Sequence, residues 1–496
     1  MKGSLKKGFL TYVLLFVGLI FTVLLILASI LLFSPGASIL GFTFVRDNKD
    51  YNIETYKTVA SDGSEVDTIL NLQKISKLKI SANNFDIRIN TGDVSYIKIE
   101  NNAMAFTKVE NGLGIDINTH YDQNTNTLEI TVKDYAYLLN LKDNRIITVY
   151  LNQEDYSNLD VEFTTKNGDI GLGGSSAQKS LNHVIKSVVA KTENGNIGAS
   201  NLKIFDKKEE GSDIYLNYAY AELSTQKGSV SIPSNWENTQ FSKLIITANN
   251  GQIKTGKINA KEVFLNGKMV EADLGEIRTS YSYREGGIIS TYGKVFFNIE
   301  SGIVNITDIV GDLINESENI SNVKLNIGRV FYDVTLNSVN SSNININLIA
   351  GDATIKTKSG DISINAIEGK CDLETESGKI LVGIDSSLTD AKTYDVKTTK
   401  GDIDVYYFDG YGVTNIQSET GDIKFLYKTG DTFKLSTHGK KVNYANEELV
   451  YENLADGEYV TGYPVPNSAE VTVSNTITIT TEKNVTIQHG AFVVIS

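Results

Sequence analysis

Residues Gly351 to Ser386 read GDATIKTKS, GDISINAIE, GKCDLETES and GKILVGIDS, four nonapeptides that superimpose without a gap. Gly opens each unit, a polar residue follows, and positions three and five are apolar or small: Ala353/Ile355, Ile362/Ile364, Cys371/Leu373 and Ile380/Val382. Side chains two apart share one face of a strand, so each unit sets an apolar face against a polar one. A strand this short cannot bury its apolar face alone. A stereotyped turn at a fixed period therefore predicts a solenoid, in which each unit buries that face by stacking on the next.

Outward from this array the unit recurs in looser register. Upstream stand Gly168-Asp169-Ile170, Gly195-Asn196-Ile197, Gly228-Ser229-Val230, Gly251-Gln252-Ile253 and Gly275-Glu276-Ile277, and nine-residue steps return at Gly293, Gly302 and Gly311. Downstream, Gly401-Asp402-Ile403 and Gly421-Asp422-Ile423 follow with insertions between them. A solenoid places such insertions in surface loops. Before residue 166, alternating β-branched runs at 85–89, 94–99, 128–132 and 146–151 predict a half-buried sheet. The tail loses the Gly-Asp unit but keeps strand patterns, as a cap over the last open edge would. The expected organisation is a lead or linker over 36–77, an N-terminal β module capping the solenoid over 78–165, repeats over 166–435 and a C-terminal β cap over 436–496.

Charge suggests the size of a coil. Lys294/Asp312, Asp352/Lys370 and Asp361/Lys379 sit 18 residues apart at equivalent positions with opposite sign. If one coil is two nonapeptides, each pair lies on adjacent coils about 4.8 Å apart, where opposite charges attract weakly.

The N-terminal stretch is of another kind. Residues 9–33 are apolar or small and carry no charge; Lys2, Lys6 and Lys7 precede them and Ser34-Pro35-Gly36 ends them. At about 1.5 Å per residue such a helix spans the roughly 30 Å of bilayer hydrocarbon, whereas a cleavable signal has a much shorter apolar core. The expectation is an uncleaved transmembrane anchor, with the N-terminus cytoplasmic by the positive-inside rule and everything after residue 35 extracytoplasmic.

A net charge of −14 with no gathered Lys or Arg argues against a nucleic-acid partner. The single cysteine, Cys371, rules out an internal disulfide and a cysteine-based metal site, and its register makes it a small core residue. His120, His183, His438 and His489 stand far apart with no metal-binding spacing, and no nucleophile or phosphate-loop motif is present. Gly171-Leu172-Gly173-Gly174 continues a strand, so it has no helix N-terminus to offer a phosphate. Asp in the Gly-Asp step reads as a turn former through side-chain to backbone hydrogen bonds. Were calcium bound, Asp402 and Asp422, which alone stack with like sign, would be the place. Among 25 tyrosines, Tyr281-Ser282-Tyr283 and the Tyr406 to Tyr411 stretch are the candidate contact patches.

The segments 146–151 (IITVYL) and 159–170 (LDVEFTTKNGDI), with Lys358-Ser359-Gly360-Asp361-Ile362 and Glu419-Thr420-Gly421-Asp422-Ile423, resemble the bacterial putative-adhesin β-strand-repeat family, a domain of unknown function. The resemblance runs from about residue 78 to 426. It implies a parallel β-solenoid outside the cell, often behind one membrane anchor, with roles in adhesion or envelope-stress sensing and no catalytic residues. The expected function is accordingly a non-catalytic, membrane-anchored surface adhesion, binding or scaffold module without cofactor or metal, whose partner is a glycan or an envelope protein. Alternatives are a carbohydrate-active lyase or hydrolase on the same fold, and an accessory or sensor component of an envelope-stress system.

Overall fold

The computed structural model describes residues 2–33, 38–39, 42–60, 62–91, 95–108, 115–134, 139–151, 159–173, 185–199, 220–233, 240–284, 288–315, 320–385, 390–409, 411–427, 433–444, 452–454, 458–461 and 475–489. Two compact units divide the chain. The first comprises Met1–Glu154 with Phe163–Asp169, the second Asp155–Glu162 with Ile170–Ser496.

The first unit opens with helix Lys2–Phe33. Its apolar side chains stand in the open: Leu14, Leu15 and Phe16 are all more than 60% exposed. Among the described residues no helix is long and apolar enough to cross a membrane. The run of helix with described side chains, 12–27, is about 24 Å long at 1.5 Å per residue.

Most of the described residues in the stretch expected as a lead or linker, 36–77, lie in strands. Strand Phe42–Ile53 pairs antiparallel along its whole length with Tyr96–Lys108, which pairs in turn with Leu139–Leu151. Thr55–Val59 and Glu65–Ile69 form a hairpin, and Leu72 and Ile75 are buried. The sequence hid the first strand because its middle, Arg46-Asp47-Asn48-Lys49-Asp50, is polar; main-chain pairing holds it regardless of side chain. Parallel pairing enters this unit where Leu139–Leu151 meets Asp86–Thr91 and where Lys77–Ala82 meets Thr127–Asp134.

The second unit is a parallel, solenoid-like stack with two strands per coil over most of its length. One ladder runs through Val323–Val330, Asn343–Ile349, Ile362–Ile367, Ile380–Asp385, Ile403–Asp409 and Ile423–Tyr427. The other runs through Val334–Ser341, Ala353–Ser359, Cys371–Ser377, Lys392–Thr398 and Gly412–Ser418. In the strict array Ala353 faces Cys371 and Ile362 faces Ile380, so one coil is two nonapeptides, as the charge pattern indicated. Ile355, Leu373 and Val396 from one ladder and Ile364, Val382 and Val405 from the other fill the interior, all fully buried. Each such side chain contributes about 1.5–3 kcal/mol by leaving water.

The repeated Thr-x-x-Gly-Asp-Ile corner has a physical explanation in three parts. The buried hydroxyl donates to the glycine carbonyl of the coil before: Thr375 Oγ1 to Gly360 O at 3.3 Å, Thr398 to Gly378 at 3.3 Å, Ser418 to Gly401 at 2.8 Å. The glycine lets that carbonyl approach. The Asp carboxylate accepts a backbone N–H from the coil after: Asp361 Oδ1 from Lys379 N at 2.8 Å, Asp352 from Lys370 N at 2.8 Å, Asp402 from Asp422 N at 2.9 Å. Asn does the same where it replaces Asp, as at Asn196 and Asn343. The expected turn bond is therefore real but reaches the next coil. Asp361 and Lys379 do stack, yet their bond is carboxylate to amide, and the Lys379 ammonium lies 2.5 Å from Asp404.

The tail is more than a cap. Thr476–Thr481 pairs in parallel with Gly412–Ser418 on one side and Phe433–His438 on the other, and Asn484–His489 lies likewise between Ile423–Tyr427 and Lys441–Tyr444. The last segment thus fills a coil between two that precede it in the chain. Thr481 Oγ1 donates to Gly421 O at 2.7 Å and Asp422 Oδ1 accepts from Asn484 N at 3.0 Å, so the corner is kept. Beyond, Glu458–Thr461 pairs antiparallel with Phe433–His438. Repeats therefore continue past residue 435, where they were expected to end.

Candidate functional site

The described residues among those singled out in the sequence are spread over both units. Cys371 is 3% exposed in the interior, and burial pushes its thiol far up, away from the thiolate a nucleophile needs. His120 lies in the first unit, on strand Ile115–Asp122, and His438 in the second, at the end of Phe433–His438. His183 lies outside the described residues, as does the side chain of His489. Asp402 and Asp422 stack as links in the corner ladder, but not they alone: Asp312 Oδ1 accepts from Asp333 N at 3.4 Å and Asp333 Oδ1 from Asp352 N at 2.8 Å, so three more carboxylates stack with like sign. Among the described residues no three His, Cys, Asp or Glu side chains are grouped to hold a metal ion.

Of the tyrosine patches, the side chains of Tyr281 and Tyr283 lie outside the described residues. The other is split. Tyr407 is 1% exposed and belongs to the core, its ring centroid 5.7 Å from that of Phe425, while Tyr411 is 37% exposed.

What the fold does create is a lateral groove of about 380 Å³ on the second unit, lined by Asp273 and by Asn, Ser, Thr and Gly residues, with Leu274, Ile306, Ile327 and Ile346 between them. It arises from register. Asp273, Asn305, Asn326, Asn345 and Ser363 occupy one outward position on successive coils. A second row lies two residues further along each strand: Thr307, Gly328, Asn347 and Asn365. Between them run the backbones of Ile306, Ile327 and Ile346, whose side chains turn into the core. At Gly328 the neighbouring main chains approach closely, since a Cβ there would sit 2.1 Å from the carbonyl oxygen of Thr307.

The amides bond to one another along the stack. Asn326 Nδ2 donates to Asn305 Oδ1 at 2.8 Å and Asn345 Nδ2 to Asn326 Oδ1 at 2.9 Å; in the second row Asn365 Nδ2 donates to Asn347 Oδ1 at 2.8 Å. An amide carries two N–H donors and two lone pairs. The ladder uses one of each at Asn326, so one donor and one acceptor there lie outside the ladder. Beside the groove, Arg329 is held by both oxygens of Asp308, at 2.9 and 2.7 Å.

The sequence profile of the family described as Toastrack DUF4097 matches residues 75–449. The chain belongs to the Toastrack DUF4097 family. That match takes in most of the first unit's sheet and all of the groove. The Toastrack chain is also similar to two solved structures. One is a putative cell adhesion protein from Clostridium sporogenes ATCC 15579, at 7% identity over 90% of this chain and 100% of that one, with a TM-score of 0.17. The other is a putative adhesin from Bacteroides fragilis NCTC 9343, at 11% identity over 90% of this chain and 97% of that one, with a TM-score of 0.15. At such TM-scores neither says anything of this Toastrack chain's architecture, which rests on its own strand pairing. No curated protein matches the sequence.

Proposed function

We propose that this chain is a non-catalytic, membrane-anchored adhesion module, held by helix Lys2–Phe33 with its N-terminus in the cytoplasm, that binds its ligand on the amide-lined face of the second unit. The observation that carries the reading is the groove: outward rows of amides on consecutive coils, with hydrogen-bonding capacity left over after their own ladder is made. A solenoid presents such rows as an extended surface, which suits adhesion to a large or repetitive partner. Cleavage of a glycosidic bond by the common route needs two carboxyl groups facing it. Asp273 is the one carboxylate among the groove's lining side chains, so the lyase or hydrolase alternative has little support there. Lys2, Lys6 and Lys7, ahead of the apolar run 9–33, support the orientation.

The test uses cells displaying the full chain on a panel of surfaces coated with polysaccharides or proteins. Retention on at least one coating, reduced several-fold by Asn345→Arg at equal surface expression, is the expected result. Equal retention of wild type and variant on every coating would remove the groove from the function.

A further inference from the structure

We infer that the groove takes an uncharged, polyhydroxylated chain laid along the stacking axis, spanning the coils from Asp273 to Ser363. This rests on the reading above that the amide face is the binding surface. Geometry comes first. The two rows cross the strands, so their functional groups repeat once per coil, and five coils set about 19 Å of ladder at 4.8 Å per step. A ligand using the whole groove must itself repeat on that scale and run with the axis. A peptide bound by strand addition would instead lie parallel to the strands and need free main-chain groups, and those of Asn305, Asn326 and Asn345 are engaged in the parallel ladder.

Chemistry narrows the class. Asn305, Asn326, Asn345, Asn347 and Asn365 are neutral, and each offers donors and acceptors side by side. A hydroxyl also donates and accepts, so a run of hydroxyls can meet every unused amide group. An apolar ligand would strip these groups of water and leave them unmatched, which costs about 1–3 kcal/mol for each group. Among the groove's lining residues a polyanion finds no cation: Arg329 beside the groove is engaged by Asp308, and Lys254 and Lys324, exposed on the same face, stand outside the lining. It is also repelled by a chain of net charge −14. A polycation finds only Asp273, at one end of the row.

The probes are maltoheptaose and cellohexaose as neutral oligosaccharides and oligogalacturonate as the acidic one, titrated into the purified full chain in detergent. At least one neutral oligomer is expected to bind with an affinity that varies less than twofold between 50 and 500 mM salt, and oligogalacturonate at least tenfold more weakly. The double substitution N326L/N345L should weaken binding tenfold or more. Asn298→Leu supplies the control, because Asn298 Nδ2 makes an equivalent inter-coil bond to Asn266 Oδ1 at 3.1 Å, seven residues before Asn305 on its strand and outside the groove's lining. It should leave binding within twofold, whatever both changes do to thermal stability. Binding of no neutral oligomer, equal binding of the acidic one, or loss with N298L equal to that with N326L/N345L would overturn the inference. If retention of cells on protein or acidic coatings still depends on Asn345, the ligand class alone is wrong; if retention is indifferent to Asn345, the binding face is wrong as well.

Discussion

Gly401→Ala should destabilise the second unit by about 3–5 kcal/mol, a large effect for one methyl group. A Cβ at Gly401 would lie 1.8 Å from the carbonyl oxygen of Gly378 and 2.6 Å from its carbonyl carbon, with Thr398 Oγ1 at 3.0 Å. Two of these three are main-chain atoms of the preceding coil, so no side chain can swing aside to make room. Either the coils part, breaking the Thr398 to Gly378 bond, or the corner distorts and takes the Asp402 to Asp422 amide bond with it. Both routes also loosen the contacts of Ile380 with Ile403 and of Ile403 with Ile423 in the interior. Native-state hydrogen exchange should show amides of residues 378–427 losing protection while those of the first unit keep theirs. Gly198→Ala is the matched control: nothing lies within 4 Å of its added Cβ, and relief of backbone entropy should make it neutral or slightly stabilising. Similar behaviour of the two variants would mean that the coils are not packed as described.

Arg145→Ala should cost the first unit about 3–5 kcal/mol and lower its thermal midpoint by about 10 °C. Arg145 pairs with Asp134, and the two side chains are 1% and 0% exposed. Asp134 also accepts from Asn84 Nδ2, and the guanidinium lies 5.4 Å from the ring centroid of Phe85. Removing the arginine leaves a buried carboxylate without its counter-charge, which is where the cost arises; the pair itself owes much of its attraction to repaying desolvation. The double variant Arg145→Met with Asp134→Leu should therefore recover part of the lost stability, measured by calorimetry on the full chain. A single variant as stable as wild type would show that water reaches the site.

Much of this was legible in residues 351–386, because strict spacing keeps each residue type at one structural position. There the strand faces, the coil of two nonapeptides and the burial of Cys371 all follow from alternation and period. Legibility failed where physical order and chain order part company. Thr476–His489 completes a coil laid between two earlier ones, and its corner is a residue shorter: Thr481 to Asn484 spans three steps where Ser418 to Asp422 spans four, so no Gly-Asp remains to mark it. The charge pairs show a subtler limit. Spacing located them on neighbouring coils, yet the partner of Asp361 is a backbone N–H, which every residue at that place supplies and no side-chain pattern reveals.

The groove was the least visible part. Its first row takes one residue from each coil, and the steps from Asn305 to Asn326, Asn345 and Ser363 are 21, 19 and 18 residues, so the row has no constant period. The recurrent Asn-Ile pairs at 305–306, 326–327 and 345–346 are the only trace. In an ordinary reading they look like turn or strand-edge residues, because a lone asparagine carries no sign of which coil it will face.

The stacking that generates those rows can be tested by oxidative cross-linking in the full chain. Asn326→Cys with Asn345→Cys places two thiols on facing residues of neighbouring strands, within the separation a disulfide accepts, whereas Asn326→Cys with Thr335→Cys places them on different ladders. Native Cys371 is buried and will not compete. The parallel stack predicts rapid, near-complete disulfide formation for the first pair under mild oxidation, read by mass spectrometry of the digest, and none for the second; cross-linking of the second pair, or failure of the first, would contradict it.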